Sequence, residues 1–244
     1  MGTLNGLVGI NENGTWIIFN TNNSGLPNNY TNEIKEDSKG IIWIGASTAG
    51  GPKALCSYNS DISTSFPVNK RISAMTIDKQ DQVWVGIDDE IKIFDGVEWR
   101  NDITDTMRTQ NKYIDAMACD NYGRILFCVA NKPYGGSTAP PGIYVYDPSD
   151  LSLKLIITTH ASHINVTQNG NIWVCIWGKI GLLEPPTNIP ILYKMDHQFN
   201  TQSYSMDSST IPGFHLVSSA VQSNGDLWFA ARYTGVIKFK GVDL

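Results

Sequence analysis

Runs of like charge are missing from these 244 residues: 18 Lys and Arg stand against 23 Asp and Glu, the net charge is −5, and no basic cluster exceeds a pair. Binding along a nucleic-acid backbone requires a basic patch, so nucleic acid is excluded as an expected partner. Also missing is any apolar run near the roughly 18 to 20 residues that cross a bilayer. The opening MGTLNGLVGI has no basic flank followed by a long apolar stretch. The chain is therefore expected to be soluble, with no membrane span. Cysteine is sparse. Cys56, Cys119, Cys128 and Cys175 form no C-x-x-C pair, which points to free buried thiols rather than a disulfide framework, metal site or redox centre. No Gly-Lys-Ser/Thr follows the glycines of STAGGPK and YGGST, and no G-x-S-x-G elbow occurs, so phosphate-loop and nucleophile-elbow chemistry have no support.

What is present is a turn-rich, aromatic composition, 41% hydrophobic with 22 Gly and 7 Trp, suited to a folded all-β protein. It is also periodic. GIIWIG (40 to 45), DQVWVG (81 to 86), GRILFC (123 to 128), GNIWVC (170 to 175) and GDLWFA (225 to 230) align Trp43, Trp84, Leu126, Trp173 and Trp228 at intervals of 41, 42, 47 and 55 residues. Periods in this range signal β-propellers. Two positions later stands a small residue each time, Gly45, Gly86, Cys128, Cys175 or Ala230, as expected where one sheet approaches the next closely. Asp37, Asp78, Asp120, Thr167 and Gln222 each lie three residues before the turn residue that opens an anchor, and Asp followed shortly by Gly is tight-turn chemistry. This yields strands A and B of each blade. ALCSY (54 to 58), IKIF (91 to 94), GIYVY (142 to 146), IGLL (180 to 183) and GVIKF (235 to 239) supply strand C, and polar segments such as VEWRND supply strand D.

The expected fold is an all-β propeller of about five four-stranded blades, a single domain over 1–244. The blades run approximately over 21–65, 66–104, 105–155, 156–208 and 209–244, the last completed by 7–20. In the closure, strand D around Thr15 to Asn20 joins the final blade. A blade cannot cover its own apolar faces, whereas a ring of blades does so and leaves short edges. Strand C occurs at both ends in this assignment, so either one copy is redundant or the chain is a fragment of a longer propeller.

The stretch NNSGLPNNYTNEIKEDSKGIIWIGASTAGG resembles the two-component regulator propeller repeat, with Asn23 to Asn29, Asp37, Gly40 and Ile42 to Gly45 carrying the match. NIWVCIWGKIGLL is similar to the blade signature of the streptogramin lyase propellers. The first resemblance implies an extracytoplasmic sensing domain of a parent sensor protein, ahead of a membrane span and histidine kinase. The second implies enzymes that use a metal-assisted elimination. The compartment follows from that choice: extracytoplasmic for a sensor-type domain, cytoplasmic otherwise.

Propellers usually bind ligands at the channel mouth, on the face made by the loops entering strand A and those between strands B and C. Seven residues before each A/B turn position stand Tyr30, Arg71, Tyr113, His160 and His215. Aromatic, basic and imidazole groups at these equivalent points could stack on a sugar or hold an anion. The B/C loops add Tyr134, Trp177, Arg232 and Tyr233, and the Gly- and Pro-rich stretch 131 to 142 is the expected lid or specificity loop. Glu33, Lys35 and His163 fall on predicted A strands, where an acid/base group would face the channel. His160 and His163 are three apart and would reach one metal only across a turn. No residue is assigned as catalytic or metal-ligating, and no cofactor is implied. The reading is a noncatalytic recognition or sensing propeller for a small polar ligand, glycan or peptide. A metal-assisted lyase- or lactonase-like enzyme using His160, His163 or His215, and a structural or assembly propeller, are the alternatives.

Overall fold

The structure is a computed structural model describing residues 1–47, 51–59, 64–88, 90–101, 112–131, 141–176, 190–205, 216–222, 226–231 and 235–239. These residues form strands and turns, with no helix among them, and hence no helix long and apolar enough to cross a membrane. They fall into two compact units, one within Met1–Ile114 and one within Asp115–Pro133 and Thr138–Leu244.

The first unit holds three antiparallel sheets. One contains β1 (Gly2–Thr3), β2 (Gly6–Ile10) and β3 (Trp16–Phe19). The next contains β4 (Thr31–Glu36), β5 (Ile42–Ser47), β6 (Lys53–Tyr58) and β7 (Thr64–Pro67), and the third β8 (Ile72–Ile77), β9 (Val83–Ile87), β10 (Glu90–Phe94) and β11 (Trp99–Arg100). The unit boundary falls inside β12 (Lys112–Cys119), which with β13 (Ile125–Asn131), β14 (Gly142–Asp147) and β15 (Ser152–Ile157) begins the second unit. There follow β16 (Ala161–Val166), β17 (Ile172–Ile176), β18 (Pro190–Met195) and β19 (Thr201–Ser205), then the sheet of β20 (Leu216–Val221), β21 (Leu227–Ala231) and β22 (Gly235–Phe239).

These are six blades of three or four strands, which corrects the expectation of about five. The difference lies at the N-terminus. Gly6, at φ 116, lets the chain turn tightly enough to pair Thr3 with Gly6, so β2 is flanked by β1 and β3 in a blade of its own. The hairpin expected over 7–20 is therefore present, but it does not complete the final blade: β3 pairs with β2, and β20–β22 stand as three strands among the described residues. Strand C of the fifth blade is β18, not IGLL; 180–183 lie outside the described residues.

Three A/B turns are built around an acidic residue, Asp37, Asp78 or Asp120. The carboxylate Oδ1 of Asp78 accepts the backbone N–H groups of Gln80 and Gln82, both at 2.9 Å, and its Oδ2 accepts Trp84 Nε1 at 2.7 Å. Asp37 repeats this with Lys39, Ile41 and, at 3.0 Å, Trp43 Nε1. The anchoring Trp is thus a hydrogen-bonded part of the turn as well as core, and its spacing from the Asp follows from that bond. The fourth turn residue has positive φ in four blades, at Gly40 (79), Asp81 (60), Gly123 (83) and Gly170 (85). Asp81 occupies this conformation without being glycine, and its carboxylate accepts Ser38 N at 2.9 Å and Ser38 Oγ at 2.7 Å, stapling one turn to the next. Asn121 Nδ2 makes the corresponding staple to the Gln168 carbonyl at 2.9 Å in the second unit.

Strand alternation divides each blade between two cores. Trp43 and Leu55 pack with Ile72, Met75 and Phe94 of the following blade, while Ile44, Ala46 and Cys56 pack with Leu7 of the preceding one. The small position two residues after the anchor faces the next strand A at Gly45, Gly86, Cys128 and Cys175, as expected. A Cβ on Gly86 would lie 2.7 Å from Ile114 Cβ, and Cys128 Sγ accepts Ala161 N at 3.1 Å. No disulfide joins the four cysteines, and Cys56, Cys128 and Cys175 are buried. Burial pushes each of these three thiols up to about 12, so they are inert core groups.

Candidate functional site

Strand A carries a bulge in four blades. The register shifts between Thr31 and Glu33, Ile72 and Ala74, Ala161 and His163, and Leu216 and Ser218. Bulges re-aim the residue they release, and the released Asn32, Ser73 and Ser162 each stand five residues before a turn position at 37, 78 or 167. Asn32 Nδ2 donates to the Ile72 carbonyl at 2.8 Å, and Ser162 Oγ donates to the Leu216 carbonyl. In these two blades the bulge points a polar side chain at the residue that opens the next strand A, whereas Ser73 Oγ donates to the Gly86 carbonyl of its own blade at 3.1 Å. Tyr30, Arg71 and His160 immediately precede β4, β8 and β16, and Tyr113 is the second residue of β12. These four hold equivalent places in their blades. Tyr134, Trp177, His215, Arg232, Tyr233 and most of the 131 to 142 loop lie outside the described residues.

In the first unit, Arg71 is exposed and Glu33 half-buried. Burial raises the Glu33 carboxyl to about 7, against the charges of Lys35 and Arg71 and a hydrogen bond from the Met75 backbone. The buried Oδ1 of Asn32, next in sequence, has no hydrogen-bond partner. A buried acceptor without a donor is costly and calls for a water or ligand group. Asn32, Glu33, Lys35 and Arg71 thus combine two cations, a proton-holding carboxyl and an unfilled acceptor.

The Glu33 shift has a measurable consequence. A carboxyl whose folded pKa is raised binds its proton more tightly folded than unfolded. Its stabilising contribution is complete below about 4.5 and is lost as pH rises through about 7. Glu33→Gln removes the titration and keeps the shape. The wild type should lose about 2–3 kcal/mol more stability than the variant between pH 4.5 and pH 8, read from urea unfolding at both pH values. Parallel losses would show that Glu33 is not held in this state.

In the second unit, the Asp115 carboxylate lies 2.7 Å from His160 Nε2, with side chains 33% and 40% exposed. A carboxylate that orients an imidazole is the arrangement of a general base, and also of a fixed hydrogen-bonding pair. His163 lies on β16 opposite Cys175, beyond the Ser162 bulge. Among the described residues no three His, Cys, Asp or Glu side chains gather as a metal site. The sequence reading identified His160 and Glu33 but missed Asn32 and Asp115. The available signal was their place five residues before Asp37 and Asp120, which in β4 is the released position of the bulge.

Residues 25–48 match a family model described as two component regulator propeller. A search of curated protein sequences finds no match. Among solved structures, the extracellular domain of the putative hybrid two component system BT3049 from B. thetaiotaomicron superposes with a TM-score of 0.65 at 19% identity, over 94% of this chain and 29% of that one. The extracellular domain of the putative one component system BT4673 from the same organism gives 0.56 at 16%, over 98% and 38%. This chain thus spans little more than a third of those domains at most. A catalytically inactive virginiamycin B lyase from Staphylococcus aureus, solved with quinupristin, gives 0.65 at 12%, over 96% and 73%. Identities this low carry the fold alone. The chain has the β-propeller fold, in six blades of three or four strands, and bears a two component regulator propeller repeat at residues 25–48.

Proposed function

We propose that this chain is a noncatalytic recognition module of a sensor protein, binding a small polar ligand, glycan or peptide where its A strands begin. The observation that carries the reading is the group around Arg71. An exposed guanidinium stands with Lys35 beside the raised carboxyl of Glu33, next to the unfilled acceptor of Asn32. Convergent polar groups of this kind orient a ligand. The regulator repeat and the likeness to extracellular sensor domains support the same role. A ligand at 100 times its Kd raises stability by about 2.7 kcal/mol, so a thermal-shift screen of neutral and acidic sugars, amino acids and short peptides detects it. For the compound found, Arg71→Ala should weaken binding at least tenfold, as read by titration calorimetry. Unchanged affinity in both Arg71→Ala and Tyr113→Ala would remove the site from the A-strand mouths.

The Asp115–His160 pair favours one second reading, an enzyme in which His160 acts as base. Turnover of a lactone or ester substrate that His160→Ala abolishes would establish it, and turnover unaffected by that substitution would exclude His160 from the role.

A further inference from the structure

The third full blade departs from the repeat at one place, and the departure builds a different site. Leu126 stands where its neighbours have Trp, so no indole reaches the turn carboxylate. Arg124 takes the vacancy, placing Nε 2.7 Å and Nη2 2.6 Å from Asp120 Oδ2. From there Arg124 Nη2 donates to the His197 carbonyl at 2.8 Å, and its guanidinium lies over two rings, Phe199 at 4.3 Å and Tyr122 at 5.2 Å. Phe199 is held at φ 66, a left-handed conformation that a bulky residue rarely adopts and that recurs at binding sites. Tyr122 remains 63% exposed, with its ring 5.6 Å from that of His197 and tilted by 30°. The result is a rigid aromatic surface open to solvent at the turn end of the second unit.

A cleft of about 170 Å³ lies against this surface, with Tyr122, His197, Gln168 and Asn171 among its walls. A second, of about 270 Å³, is lined by Lys194, Thr201 and Gln202. Asn171 and Asp196 belong to both, so the two clefts adjoin. Besides the rings of Tyr122 and His197, the walls are amides, a hydroxyl, the Lys194 ammonium and the Asp196 carboxylate. The carboxylate is already committed: Asp196 accepts Gln198 N, Asn200 N and Asn200 Nδ2, which with the neighbouring His197 hold its carboxyl below the ordinary range. It stays charged, and the Lys194 ammonium of the second cleft stands against it, so one charge of each sign lines the pair and neither selects a charged ligand. An exposed aromatic face flanked by side-chain amides matches a neutral sugar, whose C–H face stacks and whose hydroxyls both donate and accept.

We propose that this double cleft is a binding site for a neutral glycan of at least two sugar units, one stacked on Tyr122 and the next beyond Asn171 and Asp196. It is separate from the A-strand positions of Arg71 and His160 and does not depend on them. The test uses the whole chain and six neutral trisaccharides, from glucan, xylan, mannan, galactan, arabinan and chitin, with binding followed by the NMR signals of His197 and Tyr122. At least one should bind, with Tyr122→Ala weakening it at least tenfold, Tyr122→Phe staying within about threefold, and Arg71→Ala leaving it unchanged. Tyr122 is an exposed turn residue, so the alanine variant should keep the wild-type thermal midpoint. The proposal is overturned if none of the six shifts these signals, if only acidic sugars or peptides do, or if Tyr122→Ala binds as well as wild type.

Discussion

Gly86→Ala is expected to cost about 2–3 kcal/mol of unfolding free energy, and Gly86→Val more, because both overpack a closed contact. A Cβ at this position meets Ile114 Cβ at 2.7 Å and Ile114 Cγ2 at 2.8 Å. Ile114 is itself 1% exposed and is tied down by its own N–H to the Asp88 carbonyl at 3.0 Å. Neither partner can retreat without moving a strand. The same substitution at Gly45 meets Ile72 Cγ2 at 3.1 Å and Glu33 Cβ at 3.2 Å, a contact that small side-chain shifts relieve, so Gly45→Ala should cost about 1 kcal/mol or less. Denaturant unfolding of the two variants side by side reads this order. If Gly45→Ala proved the more damaging, the spacing assigned to the blades would be wrong. In the second unit the same position is Cys128 and Cys175, whose thiols reach Ala161 N at 3.1 Å and Ser219 Oγ at 3.3 Å. There the interval between strands admits one sulfur, and the sulfur is hydrogen-bonded.

The second large effect is expected at Asp78. Asp78→Ala removes the acceptor of the Trp84 indole and of two turn N–H groups at once, at a site where Asp78 is only 8% exposed. Charged acceptors contribute about 1.5–3 kcal/mol each and unmet buried donors cost a similar amount, so a loss of about 3 kcal/mol or more should appear in tryptophan-monitored unfolding. Gln222 serves Trp228 from an exposed position, at 3.2 Å with the indole side chain 38% exposed. Water can replace it, and Gln222→Ala should cost less than about 1 kcal/mol. An Asp78→Ala variant within 1 kcal/mol of wild type would mean that the turn carboxylate is dispensable and that the Trp alone holds the blade.

These two residues also mark what could be read without coordinates. Asp78 and Trp84 are six positions apart. The turn, the bond and the strand pair it joins are all local, so the six-residue spacing from turn residue to anchor recurs in the chain as a visible repeat, as Asp–Trp in two blades and in altered form in three, and strands A and B of the later blades follow from it. The first blade escaped that reading because it begins at β1 and contains no A/B turn at all. Its hairpin could be seen but not its membership, since an edge strand carries no mark of which sheet it joins. The candidate site divides in the same way. Tyr30, Arg71 and His160 were legible because they sit at a constant distance from the turn. Asn32 was not, because the bulge at Thr31/Glu33 alters which side of the strand each residue faces, and two-residue alternation assumes none; Asp115 was not, because its partner His160 is 45 positions away.

The Tyr122 cleft was the least legible. Its hint in the sequence is a leucine where the repeat has tryptophan, which alone suggests only a weaker match. That the vacancy draws Arg124 inward, and that Arg124 then holds the carbonyl of a residue 73 positions away, depends on which turns the packing brings side by side. The sequence by itself determined strands A and B of the later blades and their turn chemistry, since these are satisfied within a few residues of one another, and it marked the small position of each blade by its constant place after the anchor. Only the tertiary structure decided the number of blades, the pairing of Asp115 with His160 and the gathering of three turns around one cleft. Contacts between blades link residues roughly a repeat or more apart, and their register is set by side chains meeting across an interface rather than by any pattern along the chain.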